Sequence, residues 1–120
     1  MPEYVDGFVI PVPRKNLRAY RRMAQIGAKV WMKHGALAYC ESTGDDMQTH
    51  CGTPFPRQLK LKRGETVVFA WIVFKSRAHR DRVNAKVMQD PLTATMTDFG
   101  GMPFDPKRML YGGFKVMVRA

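Results

Sequence analysis

Thr66-Val67-Val68-Phe69-Ala70-Trp71-Ile72-Val73-Phe74 places eight consecutive apolar residues after its threonine. β-Branched and aromatic types dominate, which suits a strand. A strand with one wet face alternates apolar and polar residues; this one does not. Val67, Phe69, Trp71 and Val73 share one face, and Val68, Ala70, Ile72 and Phe74 share the other. Both faces are therefore expected to be covered.

At 120 residues the chain has the length of one domain, 1–120, with one core. Its 45% hydrophobic and 25% charged content is that of a globular protein. No apolar run has the length of a membrane span, so no membrane partner is expected. The start, Met1-Pro2-Glu3-Tyr4-Val5-Asp6-Gly7, lacks the basic and apolar regions of a signal peptide, which reads as cytoplasmic. In that compartment Cys40 and Cys51 are expected to remain free.

Working outward from the central strand, Tyr4–Val12 reads as a first strand closed by Pro13. A helix from about Asn16 to His34 follows, with Leu17, Tyr20, Ala24, Gly27/Ala28 and Trp31 as its apolar stripe and Gly35 as its stop. Ala36–Ser42 is a second strand of small residues. Met47–Pro56 has no regular pattern, and Arg57–Arg63 reads as an edge extension or hairpin turning at Gly64-Glu65. After the central strand, Ser76 caps a second helix through Arg80, Asn84, Val87 and Met88 to Asp90, where Pro91 closes it. Leu92–Phe99 adds a short helical turn. Met109–Val118 is the last strand, interrupted by Gly112-Gly113, where it bends or bulges.

This order predicts an α+β chain: a ferredoxin-like βαββαβ plan, with two helices on one face of a four-stranded antiparallel sheet. The other sheet face needs its own cover. A second copy is the simplest, giving a homodimer in which two sheets close into a dimeric α/β-barrel.

Several segments carry a resemblance. They are Tyr4-Val5-Asp6-Gly7-Phe8, Gly44-Asp45-Asp46, Val68-Phe69-Ala70-Trp71-Ile72, Asn84-Ala85-Lys86-Val87-Met88, and Met102 to Met109 with Gly112-Gly113-Phe114. Together they resemble the YbaA-like family of bacterial proteins, across nearly the whole chain. The resemblance implies a dimeric α/β-barrel and brings no established activity or catalytic residue. The chain departs from the family pattern at Gln48-Thr49-His50-Cys51-Gly52-Thr53 and at Lys75.

The chemistry-bearing residues are few. Asp6 is a carboxylate within an apolar strand, a base or anchor if its face lines an interior. Arg108 pairs with Asp105 or Asp6, or presents its fork to an anion. Tyr111 adds a hydroxyl donor. The catalytic candidates are Asp6, Arg108 and Tyr111; the ligand-binding candidates are Asp6, Trp71, Asp105 and Arg108. His34 suits the carbonyls at its helix end, and Cys40 reads as a small core residue. His50 and Cys51 lack the paired spacing of zinc ligands, so neither metal nor cofactor is expected. No phosphate loop, dinucleotide fingerprint or nucleophile elbow is present.

The net charge is +10. Seven Lys or Arg and no acid lie between Arg14 and Lys33. Three functions follow as expectations: a cavity protein that binds or converts a small organic ligand without a cofactor, a module that binds RNA or DNA, or a structural or regulatory interaction protein. The second would use Arg14, Lys15, Arg18, Arg21, Arg22 and Lys29, in a salt-sensitive way; solubility alone also accounts for that charge.

Overall fold

In a computed structural model, residues 3–97 and 100–120 are described. The chain runs through β1 (Tyr4–Pro13), α1 (Leu17–Lys33), β2 (Ala38–Thr43), a one-turn α2 (Phe55–Gln58), β3 (Glu65–Phe74), α3 (Arg77–Gln89), a one-turn α4 (Pro91–Ala94) and β4 (Leu110–Lys115). The four strands form one antiparallel sheet in the order β2-β3-β1-β4. β1 and β3 pair over their whole length, Tyr4 opposite Phe74 and Pro13 opposite Glu65.

Directly opposed residues share a face. One face therefore carries Tyr4, Asp6, Phe8, Ile10 and Val12 against Phe74, Ile72, Ala70, Val68 and Thr66. Here α1 and α3 cover the sheet: Val30, Val83 and Val87 pack with Tyr4, Ile72 and Phe74, while Tyr20 packs with Ile10, Val12, Val68 and Ala70. The opposite face, with Val5, Val9, Phe69, Trp71 and Val73, is covered by neither α1 nor α3; Phe55 of the one-turn α2 borders only its end, beside Val67 and Phe69. Phe69 there is 48% exposed.

The helix ends follow their local chemistry. Gly35, at φ +111°, lets α1 close with paired bonds from Gly35 N–H to Met32 and from Ala36 N–H to Trp31. Ser76 accepts from the His79 N–H and starts α3. Asp90 then does two things. Its backbone ends α3 ahead of Pro91, and its carboxylate accepts from the Leu92 N–H of α4, from Lys33 Nζ at 3.0 Å and from His34 Nε2 at 2.7 Å. His34 thus ties the end of α1 to the α3–α4 corner and leaves the α1 carbonyls to the glycine turn.

Four expectations need correction. Arg57–Arg63 neither extends an edge nor forms a hairpin. Pro56, which cannot donate to a ladder, sits in the first turn of α2, and Lys62–Glu65 turns directly into β3. β4 also runs unbroken through Gly112 and Gly113, paired with Gly7 and Asp6. The glycine at 113 serves a close approach: a Cβ there would lie 2.7 Å from a carbon of the Tyr4 ring. On α3 it is Val83, not Met88, that completes the inward stripe; Met88 is exposed. Cys40 is half-buried on the face away from α1 and α3, paired with Trp71, and is not part of the core. The turn expected at Leu92–Phe99 is α4 followed by a 3-10 turn at Thr95–Thr97; its last two residues, 98 and 99, lie outside the described set.

The Asp90 contacts hold its carboxyl at about 2: the Leu92 N–H first, then His34 and Lys33. A carboxylate with a depressed folded-state pKa stabilises the fold fully above its unfolded value and loses that contribution as pH falls toward the folded one. The wild-type melting temperature should therefore drop between roughly pH 4 and pH 2. Asp90→Asn should melt lower at pH 7 and show a flatter dependence across that window, read by circular dichroism melts at stepped pH.

Candidate functional site

Two polar groups lie on the helix-covered face, at different places. The first is built around Asp6. As the third residue of β1 it faces the helices and is 1% exposed. Arg80, one helical turn ahead of Val83 on the inward side of α3, reaches it at 2.7 Å through Nη1. The Tyr111 hydroxyl, from β4, donates to the other Asp6 oxygen at 3.2 Å and accepts from Arg80 at 3.1 Å. The Arg80 guanidinium also lies over the Tyr4 ring, 5.0 Å from its centre, and bonds Asp81 through Nε. Gly113 leaves the space that ring occupies. Burial, then the Asp6 charge, raises the Tyr111 pKa, with Arg80 opposing, so the phenol stays a donor.

Of the sequence candidates, Asp6 and Tyr111 meet here, and Arg80 takes the place expected of Arg108. Arg108 instead bonds Glu65 at 2.5 Å and the Lys60 carbonyl at 3.3 Å, anchoring the last connection to the start of β3. Its bond, ahead of other causes, lowers the Glu65 pKa. Asp105 is exposed and accepts from the Lys107 N–H, opening a 3-10 turn at Pro106–Arg108.

The second group was not singled out from the sequence. Between the sheet and the helices lies a cavity of ≈130 Å³, walled largely by Phe8, Ile10, Trp31, Ile72, Phe104 and three methionines, Met23, Met96 and Met109. Its polar end is Glu41. One carboxylate oxygen accepts from the Tyr20 hydroxyl and the other from the Tyr39 hydroxyl, the latter at 2.5 Å. Tyr39 and Glu41 are two apart on β2 and so share the inner face; Tyr20 descends from α1. Burial first, then the Glu41 charge, pushes both tyrosine pKa values up, which keeps them as neutral donors. That i, i+2 pair of Tyr and Glu on a short strand was the available signal.

The two groups are linked through a ring. Phe8 lines the cavity and stacks on Tyr111 with centroids 4.8 Å apart. Trp71 borders the cavity and also the apolar groove on the face away from α1 and α3, as does Phe8.

The remaining candidates lie elsewhere. Arg14, Lys15, Arg18, Arg21, Arg22 and Lys29 are all exposed along α1 and the turn before it. His50 and Cys51 are exposed in the loop after β2. Among the described residues no three His, Cys, Asp or Glu side chains converge as metal ligands, and no helix is long and apolar enough to cross a membrane.

Fold and site together define a small α+β protein with an open four-stranded antiparallel sheet and a carboxylate-bearing cavity beneath its helices. The chain belongs to the family described as Protein of unknown function (DUF1428), which matches residues 3–106. It is 43% identical over 117 residues to "Uncharacterized protein YbaA" of Escherichia coli (strain K12), covering 97% of each chain. The protein of the same name from Shigella flexneri gives the same figures. Among solved structures, the de novo designed protein Foldit4 is similar with a TM-score of 0.40 at 12% identity, covering 98% of this chain and 99% of that one; so slight a likeness bears on neither fold nor function.

Removing Arg80 while keeping Asp6 leaves a buried carboxylate with a single phenol partner. Arg80→Met should cost about 3–5 kcal/mol in urea unfolding. The double variant Asp6→Leu with Arg80→Met should recover most of that loss. A single variant as stable as wild type, or a double variant no better than the single, would contradict a buried ion-pair lock.

Proposed function

We propose that this chain is a homodimeric small-molecule-binding protein. Its subunits are ferredoxin-like, and two sheets meet face to face as a dimeric α/β-barrel. The observation that carries the binding function is the cavity with Glu41 at its polar end. Packed interiors rarely leave voids larger than a water molecule, and an apolar cavity of roughly 150 Å³ is enough to take up benzene. The ≈130 Å³ here, bordered by three adaptable methionines, is of that order. Phe8 forms one wall, and the Asp6–Arg80–Tyr111 lock positions it; this is the role assigned to Asp6 and Tyr111. Trp71 contributes to the wall on the sheet side. Arg108 and Asp105 shape the connection that delivers Phe104 and Met109.

The strand order β2-β3-β1-β4, with α1 and α3 on one face, supports the ferredoxin-like reading. The middle of the opposite face supports a second copy as its cover. From Val5 to Val9, Val67 to Val73 and Leu110 to Phe114, its positions carry no charged side chain, in a chain of net charge +10. Leu110 and Phe114 are more than half exposed there. An apolar patch of this kind, free of charge, marks an interface. A two-fold pairing brings like against like without setting cation against cation. The exposed cations of α1 lie on the far side of the sheet.

Two measurements follow. Benzene at saturating concentration should raise the melting temperature through linkage. Met96→Trp, which fills the cavity, should abolish that rise; an insensitive wild type argues against a ligand cavity. Light scattering at micromolar concentration should give a particle of twice the 13.7 kDa chain mass. Phe69→Glu combined with Leu110→Glu should return it to a monomer that keeps its circular dichroism spectrum. A wild-type monomer would remove the dimer from the proposal.

A further inference from the structure

The polar end of the cavity has an unusual hydrogen-bond inventory. Three lining groups can donate strongly, and each is spent. The Tyr20 and Tyr39 hydroxyls donate to Glu41, and Trp31 Nε1 donates to Asn84 Oδ1 at 3.0 Å. Cys40 and Trp71 belong to the opposite face of the sheet, and their backbones lie in the β2–β3 ladder. The acceptors are not exhausted. A carboxylate offers about four lone-pair sites, and Glu41 has filled one on each oxygen. The phenol oxygens keep lone pairs as well. An arriving ligand therefore meets acceptors with no donor to spare.

Glu41 is distinctive in a second way. Among the described residues, the other carboxylates that are not fully exposed each meet a cation: Glu3 meets Arg119, Asp6 meets Arg80, Glu65 meets Arg108, and Asp90 meets Lys33 and His34. Glu41 alone has only neutral partners. Its remaining acceptor capacity is left to be filled by whatever enters.

We propose that the cavity takes a small, neutral, planar aromatic molecule carrying one hydrogen-bond donor, of the phenol or aniline class, held by donation to Glu41. This rests on the cavity reading above. The aromatic walls set the shape: Phe8, Trp31 and Phe104 offer ring faces and edges. The volume limits the ligand to about one ring. An anion is excluded because it brings acceptors and a negative charge to a carboxylate. A cation is disfavoured by its surroundings, since Glu41 and Tyr20 also border a surface groove that carries Arg18 and Arg21 and the whole chain is strongly positive. The neutral donor satisfies the open lone pair without either penalty.

The test is calorimetric titration of the intact protein with toluene, phenol, benzoate and benzylamine. Toluene reports the cavity alone; the ratio of phenol to toluene reports the donor. A hydrogen bond to a charged acceptor should make phenol bind tighter than toluene by about tenfold or more. Benzoate should not bind, and benzylamine should bind more weakly than phenol. In Glu41→Gln, checked for folding by its melt, the phenol preference should collapse to within about threefold, because a neutral acceptor makes a weaker bond. Tyr39→Phe keeps Glu41 and frees one of its lone pairs, so its preference for phenol should persist. Equal binding of phenol and toluene overturns the donor proposal and leaves the cavity standing. Silence from both overturns the cavity as well. A tighter benzoate or benzylamine, or a preference that survives in Glu41→Gln, overturns the assignment to Glu41.

Discussion

The ten-residue ladder between β1 and β3 constrains everything else. It is apolar on both faces over most of its length, and its two edges are occupied by β4 and β2. Water cannot be left on either face without exposing aromatic and branched side chains. The helices satisfy one face. Because α1 and α3 arrive from opposite ends of the chain order, they meet the sheet as separate units, with Val30 among the residues shared between them. The cavity lies where that cover is incomplete. Small residues on the sheet, Ala70 above all, leave room under α1 that the methionines do not fill.

The elements that depend on local pattern were legible in the sequence. The unbroken apolar run of Thr66–Phe74, the serine before α3, the proline after it and Gly35 all act over a few residues: the first forms a strand, and the others sit at helix ends. Arg80 was legible only in part. It stood on the expected stripe of its helix, yet its partner Asp6 lies 74 residues away. The sequence offers Arg108 as one partner for Asp6, because the first and last strands of this plan often neighbour each other. Adjacent strands do bring Tyr111 to Asp6. Arg108, however, comes before β4 begins, in the 3-10 turn, and that displacement carries it to Glu65 at the far end of β3. A shift of three residues along the chain moved it to a different end of the sheet.

The Glu41 group is hidden in the sequence for another reason. Its strand is weakly marked because its residues are small, and neither tyrosine stands out alone. What makes the group is convergence: two residues from β2 and one from α1, 21 positions apart. No periodicity encodes such a meeting. It arises from the order of the strands, which places β2 at the sheet edge beneath the first half of α1.

The contrast between the two buried groups bears on what each can do. Asp6 faces a guanidinium and a phenol that occupy both of its oxygens, so its charge is cancelled within the fold and it can hold α3 against β1 and β4. Glu41 is stabilised by two dipoles instead. Hydrogen bonds from neutral phenols lower the cost of keeping a carboxylate in an apolar wall, but they bring no compensating charge. In a chain with twice as many basic as acidic residues, an arginine on α1 would have been an available partner; Arg18 and Arg21 are near, across the groove. A residue serving stability alone gains from ion pairing, as Asp90 and Glu65 do. Glu41, whose partners are neutral phenols, keeps acceptor capacity beyond the two bonds it accepts.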